Sequence, residues 1–228
     1  MKVEKVDFKM AQATPQFSEQ SRTSYEKPVH DRAWRLFDFI AAILALIISA
    51  PILLIISASI KIENWKAPIF FKQKRVGKNG KTFYMYKFRS MYVDAEAQLA
   101  KLQAQNEMEG HMFKMKDDPR ITKVGKWIRK TSLDEFPQFI NILKGDMSFV
   151  GPRPPLTTEY EKYTNYDKKR LLVTPGCTGL WQVSGRNNVT FQEMVELDLK
   201  YIKKRSILFN IKILLLTFKE FTGKGSGM

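Results

Sequence analysis

Residues 39–60 read FIAAILALIISAPILLIISASI, twenty-two positions without a charge. As an α-helix this run spans about 33 Å, enough to cross a bilayer core of roughly 30 Å. Nearly forty polar, mixed-charge residues come before it and no A-x-A cleavage site follows, so it is not a signal peptide. Two features compete with a simple crossing. Pro51 lies mid-segment, where it removes the donor to the Ile47 carbonyl and bends or breaks a helix. Ser49 beside it can satisfy a freed carbonyl in hydrocarbon. Basic residues also flank both ends: Lys27, Arg32 and Arg35 before, and Lys61, Lys66, Lys72, Lys74 and Arg75 after. Such flanks mark one side of a membrane, and a single crossing cannot keep both ends there. A re-entrant hairpin that breaks near Pro51 satisfies both observations. A Pro-kinked spanning helix stands as the other reading.

Outward from this segment, composition narrows the chemistry. The chain has 228 residues, enough for one domain with its own core. Thirty-eight basic residues against twenty-three acidic ones leave +15, which calls for an anionic partner: nucleic acid, anionic lipid or a phosphorylated substrate. Cys177 is the single cysteine, so an intrachain disulfide and a multi-cysteine metal site are excluded. His30 and His111 are the two histidines, too few for a histidine-rich zinc site. Carboxylates are left to carry any catalysis.

Those carboxylates concentrate in residues 114–154, KMKDDPRITKVGKWIRKTSLDEFPQFINILKGDMSFVGPRP. Asp117, Asp118, Asp134, Glu135 and Asp146 stand among Arg120, Lys123, Lys126, Arg129, Lys130 and Arg153. Adjacent carboxylates in a cationic field suit a phosphate-bearing substrate and a hard divalent cation. Mg²⁺ bridges one or two carboxylates to substrate phosphates, and arginine forks pair with phosphate oxygens.

Residues 69–76 and 81–88 flank Gly77-Lys78-Asn79-Gly80 and predict a β-hairpin that turns at Asn79-Gly80. Helices are expected over 93–115, 135–144 with Gly145 as the stop, 191–202, and 206–221. The last carries a broad apolar face, Ile207, Leu208, Ile211, Ile213, Leu214, Leu215 and Phe218, suited either to the core or to a membrane interface with snorkelling lysines. The triplets Lys168-Lys169-Arg170 and Lys203-Lys204-Arg205 read as juxtamembrane basic clusters or as solvated charge. They lack the interleaved aromatics of a nucleic-acid surface.

Within 114–154, Ser132-x-x-Glu135 is a capping-box pattern. Pro137 is tolerated only in a first helical turn, which makes Asp134 the expected N-cap of the following helix. A helix N-terminus is also a site for phosphate, so cap and catalyst do not exclude each other.

Residues 132–154, together with KFRSM at 87–91 and PGCTGLWQVSGRN at 175–187, resemble the bacterial sugar transferases, the monotopic polyprenyl-phosphate phosphoglycosyl transferases that begin exopolysaccharide, capsule or glycan assembly. The resemblance runs from about Arg32 to about Leu215. It implies that Asp134 is a nucleophile and metal ligand, that Glu135 is its catalytic partner, and that Lys87, Arg89, Arg129, Arg153 and Arg186 bind substrate phosphate. It implies Mg²⁺ as cofactor, a UDP-sugar and undecaprenyl phosphate as substrates, and UMP as product through an aspartyl-phosphosugar intermediate. It also favours the re-entrant form of the apolar segment, with Ser49 and Pro51 at the re-entry point, although relatives often carry Ser directly before the Pro where Ala50 stands here.

The expected molecule is a helix-dominated α+β enzyme with a re-entrant membrane helix hairpin, a small β-hairpin and interfacial amphipathic helices. Residues 1–30 form a polar arm, 31–61 the membrane helix, 62–222 a cytoplasmic catalytic domain, and 223–228 a flexible tail. Its setting is the bacterial cytoplasmic membrane. Its partners are the UDP-sugar, the polyprenyl phosphate and the lipid bilayer, with a homo-oligomer left open and nucleic acid excluded. A catalytically idle membrane scaffold is the rival reading.

Overall fold

The computed structural model describes residues 27–102, 115, 117–185 and 189–222. Helix α1, Pro28–Glu63, comes first, followed by strands β1, Phe70–Val76, and β2, Thr82–Phe88. Then come α2, Ala95–Leu102, α3, Lys123–Lys130, α4, Gln138–Lys144, strand β3, Ser148–Val150, and the short α5, Thr157–Tyr160. Strand β4, Gly176–Thr178, precedes α6, Leu180–Ser184, α7, Phe191–Lys204, and α8, Ile207–Thr222. The molecule is helix-dominated α+β.

The hairpin forms as predicted, with β1 and β2 antiparallel from Phe70↔Phe88 to Val76↔Thr82. Asn79 turns the chain at φ 56 and Gly80 at φ 78, both in the left-handed region that Asn and Gly tolerate. A second sheet is not apparent from the periodicity: β3 runs parallel to β4, Ser148↔Gly176 and Val150↔Thr178. Gly176 is required there, because a Cβ on it would lie 2.0 Å from the Gly151 nitrogen. The helix expected over 93–115 is described only as α2; residues 103–114, with His111, lie outside the described residues, as do most of the N-terminal arm and the tail.

Helix α1 departs from expectation. The break expected near Pro51 does not interrupt it, and the chain stays helical through all 36 residues. The proline forfeits one backbone bond, and Ser49 Oγ donates 2.5 Å back to the Ala45 carbonyl, so nothing forces the helix to end. Its buried positions, Trp34, Asp38, Ala42, Ser49, Ile56 and Ile60, form one stripe. That stripe reaches all three hydrophobic clusters. Trp34 packs with Val150, Tyr201 and Ile213, Ala42 with Met85, Ile142 and Met147, and Ile56 and Ile60 with Phe88 and Ile128. Burying each large aliphatic side chain contributes roughly 1.5–3 kcal/mol. The opposite face is open: Leu44, Ile47, Ile48, Leu54 and Ile55 are all more than half exposed. α1 is the one described helix long and apolar enough to cross a membrane, and both its ends dock on the same body.

Helix α8 packs one side into the core, as expected, and leaves the other side bare. Ile213 and Asn210 are fully buried, while Leu208, Leu215 and Phe218 are largely exposed. The basic triplets are corrected. Arg170 turns inward to pair with Asp198, and Arg205 pairs with Asp31 across 3.1 Å, so neither arginine belongs to an open cationic surface.

Candidate active site

Helix α3 delivers Arg129 in its last turn, and Thr131 closes it by donating its hydroxyl to the Trp127 carbonyl at 3.0 Å. Ser132 then adopts left-handed backbone, φ 54 and ψ 17, and reverses the chain. Leu133–Glu135 form a single 3-10 turn, and α4 starts only after Pro137. The expected caps are therefore not made. Pro137, not Asp134, occupies the N-cap position of α4, and the Ser132 side chain makes no capping bond. Glu135 is drawn elsewhere: Lys87 Nζ donates to its Oε1 at 2.7 Å, a charge-assisted bond stronger than a neutral cap.

Strand β2 positions Lys87, and α4 is held against that strand. Asn141 accepts from the Tyr86 amide at 2.9 Å and donates to the Tyr84 carbonyl at 2.7 Å. Arg153 stands on the proline loop after β3. That loop is tethered to β1 by Arg75, which donates to the Pro154 carbonyl at 3.0 Å, and by the Val76 amide, which donates to the Pro155 carbonyl at 3.0 Å. Burial, with Arg153 nearby, lowers the Arg75 pKa to about 10, so it stays cationic at neutral pH.

Together these elements enclose a cavity of about 930 Å³. Its polar end carries Asp134, Glu135, Lys87, Arg129 and Arg153, five of the predicted site residues. Arg89 lines it too, although its Nε donates to the Pro68 carbonyl at 3.0 Å and its guanidinium lies 5.7 Å from the Phe71 ring centre. Arg186 lies outside the described residues.

The two dyad carboxyls are shifted in opposite directions. Burial raises the pKa of Asp134, which is 9% exposed, and the Glu135 charge adds to the rise, against the pull of Lys87 and Arg129. Burial also pushes Glu135 upward, but Lys87, by charge and hydrogen bond, and then Arg153 outweigh it and hold Glu135 below the usual glutamate range. Adjacent carboxyls in such different surroundings, one buried and one ion-paired, are suited to separate roles.

Several cavity residues were not singled out from sequence. Arg120 lines the wall and forks onto Asp118, with Nη2 to Oδ2 at 2.6 Å; that hydrogen bond holds Asp118 below the usual aspartate range. The other wall is aromatic and aliphatic, with Phe139, Phe149, Trp181, Leu214 and Phe218. Trp181 is half-buried there. The Trp181 Nε1 donor and the Gln182 Oε1 acceptor have no hydrogen-bond partner among the described residues. Cys177 also lines the cavity, and burial pushes its thiol far up, which makes it inert.

Among the described residues no three His, Cys, Asp or Glu side chains group as a metal cage. Mg²⁺ needs no cage: it binds through one or two carboxylates and completes its shell with phosphate oxygens and water. The Asp134–Glu135 dyad, lining a cationic cavity, fits that requirement.

Known proteins resemble this chain in sequence. Galactosyl transferase CpsE of Streptococcus agalactiae serotype III (strain NEM316) is 53% identical over 196 residues, 86% of this chain and 43% of that protein. Undecaprenyl-phosphate galactose phosphotransferase of Salmonella typhimurium is 46% identical over 190 residues, 81% of this chain and 39% of that protein. Exopolysaccharide production protein ExoY of Sinorhizobium fredii is 38% identical over 209 residues, 90% of this chain and 92% of that protein. The chain thus spans about two fifths of the length of the first two and nearly all of the third. A family match covers residues 29–224, from the first turn of α1 past the end of α8, and by it the chain belongs to the bacterial sugar transferase family.

Proposed function

We propose that this chain transfers a phosphosugar from a UDP-sugar to undecaprenyl phosphate, releasing UMP, as the first committed step of a surface glycan. One observation carries the reading: a buried carboxyl, Asp134, lines a large cavity beside an ionised Glu135, with Lys87, Arg129 and Arg153 in the same lining. An idle scaffold has no use for such a cavity.

In this reading Lys87, Arg129 and Arg153 bind the diphosphate and orient it. An Asp134 carboxylate oxygen attacks the sugar-bearing phosphorus. The bond from that phosphorus to the bridging oxygen breaks, and UMP leaves with the electron pair. The resulting aspartyl-phosphosugar is then attacked by an oxygen of the polyprenyl phosphate. That step frees Asp134 and yields the polyprenyl-diphospho-sugar. Glu135, kept anionic by Lys87, serves the metal or a proton of the second step. Mg²⁺, when bound by the dyad, supplies neutralisation of the diphosphate charge. The Trp181 indole N–H and the Gln182 amide oxygen offer an unused donor and acceptor to the uridine end of the donor.

The open face of α1 and the exposed side of α8 support a body that lies against the bilayer, where the second substrate is confined. Because both ends of α1 dock on that body, the helix enters and leaves hydrocarbon on one side, taken here as the cytoplasmic face of the inner membrane. UMP release from a panel of UDP-sugars, by the full chain in membranes, tests the assignment. No release from any donor, with Mg²⁺ and undecaprenyl phosphate present, overturns it.

A further inference from the structure

We infer that Arg35 and Glu63, at opposite ends of the apolar helix α1, are positioning residues for the dyad, holding the two helices between which Asp134 and Glu135 are suspended. The inference rests on the dyad being the reacting pair.

The link from α3 to α4 is short, residues 131–137, and has little slack. Within it Ser132 N–H donates to the Arg129 carbonyl at 3.1 Å, Glu135 N–H to the Ser132 carbonyl at 3.2 Å, and Phe136 N–H to the Leu133 carbonyl at 3.3 Å. The placement of Asp134 is therefore set by where α3 ends and α4 begins.

The far end of each of these helices is closed by α1. At the start of α3, Glu63 accepts from the Lys123 amide at 2.8 Å and from the Val124 amide at 3.3 Å, while Thr122 Oγ1 accepts from the Gly125 amide at 2.9 Å. The first three N–H groups of α3 are thus accounted for. At the end of α4, the Arg35 guanidinium forks onto two carbonyls, Nη1 to Ile142 and Nη2 to Leu143, the latter at 2.8 Å. Gly145, left-handed at φ 86, ends α4 beside that fork; a Cβ there would only touch Arg35 Nη2 at 3.5 Å, so backbone conformation and not space calls for glycine. Each charge matches the helix end it meets, an anion at the N-terminus of α3 and a cation at the C-terminus of α4.

Apolar contacts back each cap. Ala42 packs against Ile142 of α4, and Ile56 and Ile60 against Ile128 of α3. Helix α1 therefore grips α4 with its first half and α3 with its second. Pro51 and the exposed Ile47, Ile48, Leu54 and Ile55 lie between the two grips. A change of bend at Pro51 moves α3 relative to α4 and is felt at the dyad. In this chain the segment that meets the bilayer also sets the catalytic geometry.

The experiment uses the full chain in nanodiscs, with Arg35→Ala, Glu63→Ala, Arg35→Lys and Glu63→Gln. Hydrogen–deuterium exchange is followed at residues 131–137, with the β1–β2 hairpin as internal reference, alongside UMP release. Both alanine variants should speed exchange in the link several-fold and leave the hairpin unchanged. They should lower kcat by roughly ten- to hundred-fold, as a small misplacement does, with the donor KM within a factor of about two. Glu63→Gln, which keeps acceptor oxygen, should recover most of the rate; Arg35→Lys should not, since one ammonium cannot fork onto two carbonyls. Exchange that rises equally everywhere makes both residues plain stabilisers and overturns the inference. So does unchanged exchange in the link, or a raised KM with kcat intact. Wild type that shows the protected link but releases no UMP counts against the proposed activity alone.

Discussion

Lys87 Nζ lies 2.7 Å from Glu135 Oε1, joining the second strand of the hairpin to the 3-10 turn that carries the dyad. This ion pair favours the charged form of Glu135. Lys87 holds Glu135 down and also limits the rise at Asp134.

Replacing Lys87 by Met should therefore raise both carboxyls. The acid limb of the kcat profile is expected to move to higher pH, and the rate at neutral pH to fall by about 10²–10³-fold, the usual cost of losing one electrostatic stabiliser. An acid limb that stays in place shows that Lys87 does not govern the protonation of the dyad.

Asp134→Asn should abolish UMP release even without lipid acceptor, and intact-protein mass spectrometry of wild type with donor should place a phosphosugar adduct on Asp134. Stability should move the other way. The folded pKa of Asp134 is raised by burial, so its carboxyl favours the folded state at low pH and loses that favour as pH rises through the folded value. At neutral pH the charged group costs stability, and the Asn variant should melt higher than wild type. The gain should vanish below about pH 4, where the unfolded carboxyl is also protonated. Melting curves across pH check the sign.

Single cysteines at positions 32 and 66, in a Cys177→Ser background, probe the placement of α1. Both native residues are exposed at the docked ends of the helix. In intact cells both cysteines should resist a membrane-impermeant thiol reagent, and in inside-out vesicles both should react. Labelling of one alone would establish a spanning helix.

Arg170→Met should cost about 3–5 kcal/mol in denaturant unfolding, because it strands the fully buried Asp198 carboxylate. The paired change Arg170→Met with Asp198→Leu should recover most of that loss. Equal losses in the single and double variants would show that packing, not the ion pair, matters there.

Local signals explain what sequence reading recovered. Asn79-Gly80 between two alternating strands predicts its own hairpin, and the uncharged run around Pro51 predicts an apolar helix that the body leaves half bare. The dyad and its cations were readable because they sit in short motifs, and the cavity brings six of them together, Arg89 included. What escaped reading is non-local. β3 and β4 are three residues each and meet across a long excursion of chain. The apolar cavity wall is drawn from β3, α4, α6 and α8, the last two remote in sequence from the dyad. Arg170 and Arg205 sit in basic triplets that look solvent-facing, and only the partners Asp198 and Asp31 turn them inward. At Ser132 a capping pattern was overridden because Glu135 found Lys87, on another element.

The Asp31–Arg205 pair joins residues 174 positions apart, and Lys27 Nζ reaches the Lys203 and Arg205 carbonyls near it. A ribosome therefore makes α1 long before it makes the junction that fastens its first turn. Until residue 88 emerges the helix has only membrane to shelter it, and until α7 emerges Trp34 still lacks Tyr201 and Ile202. The chain is thus expected to meet lipid as a bare helix and to fold afterwards around it, a late closure typical of contacts remote in sequence.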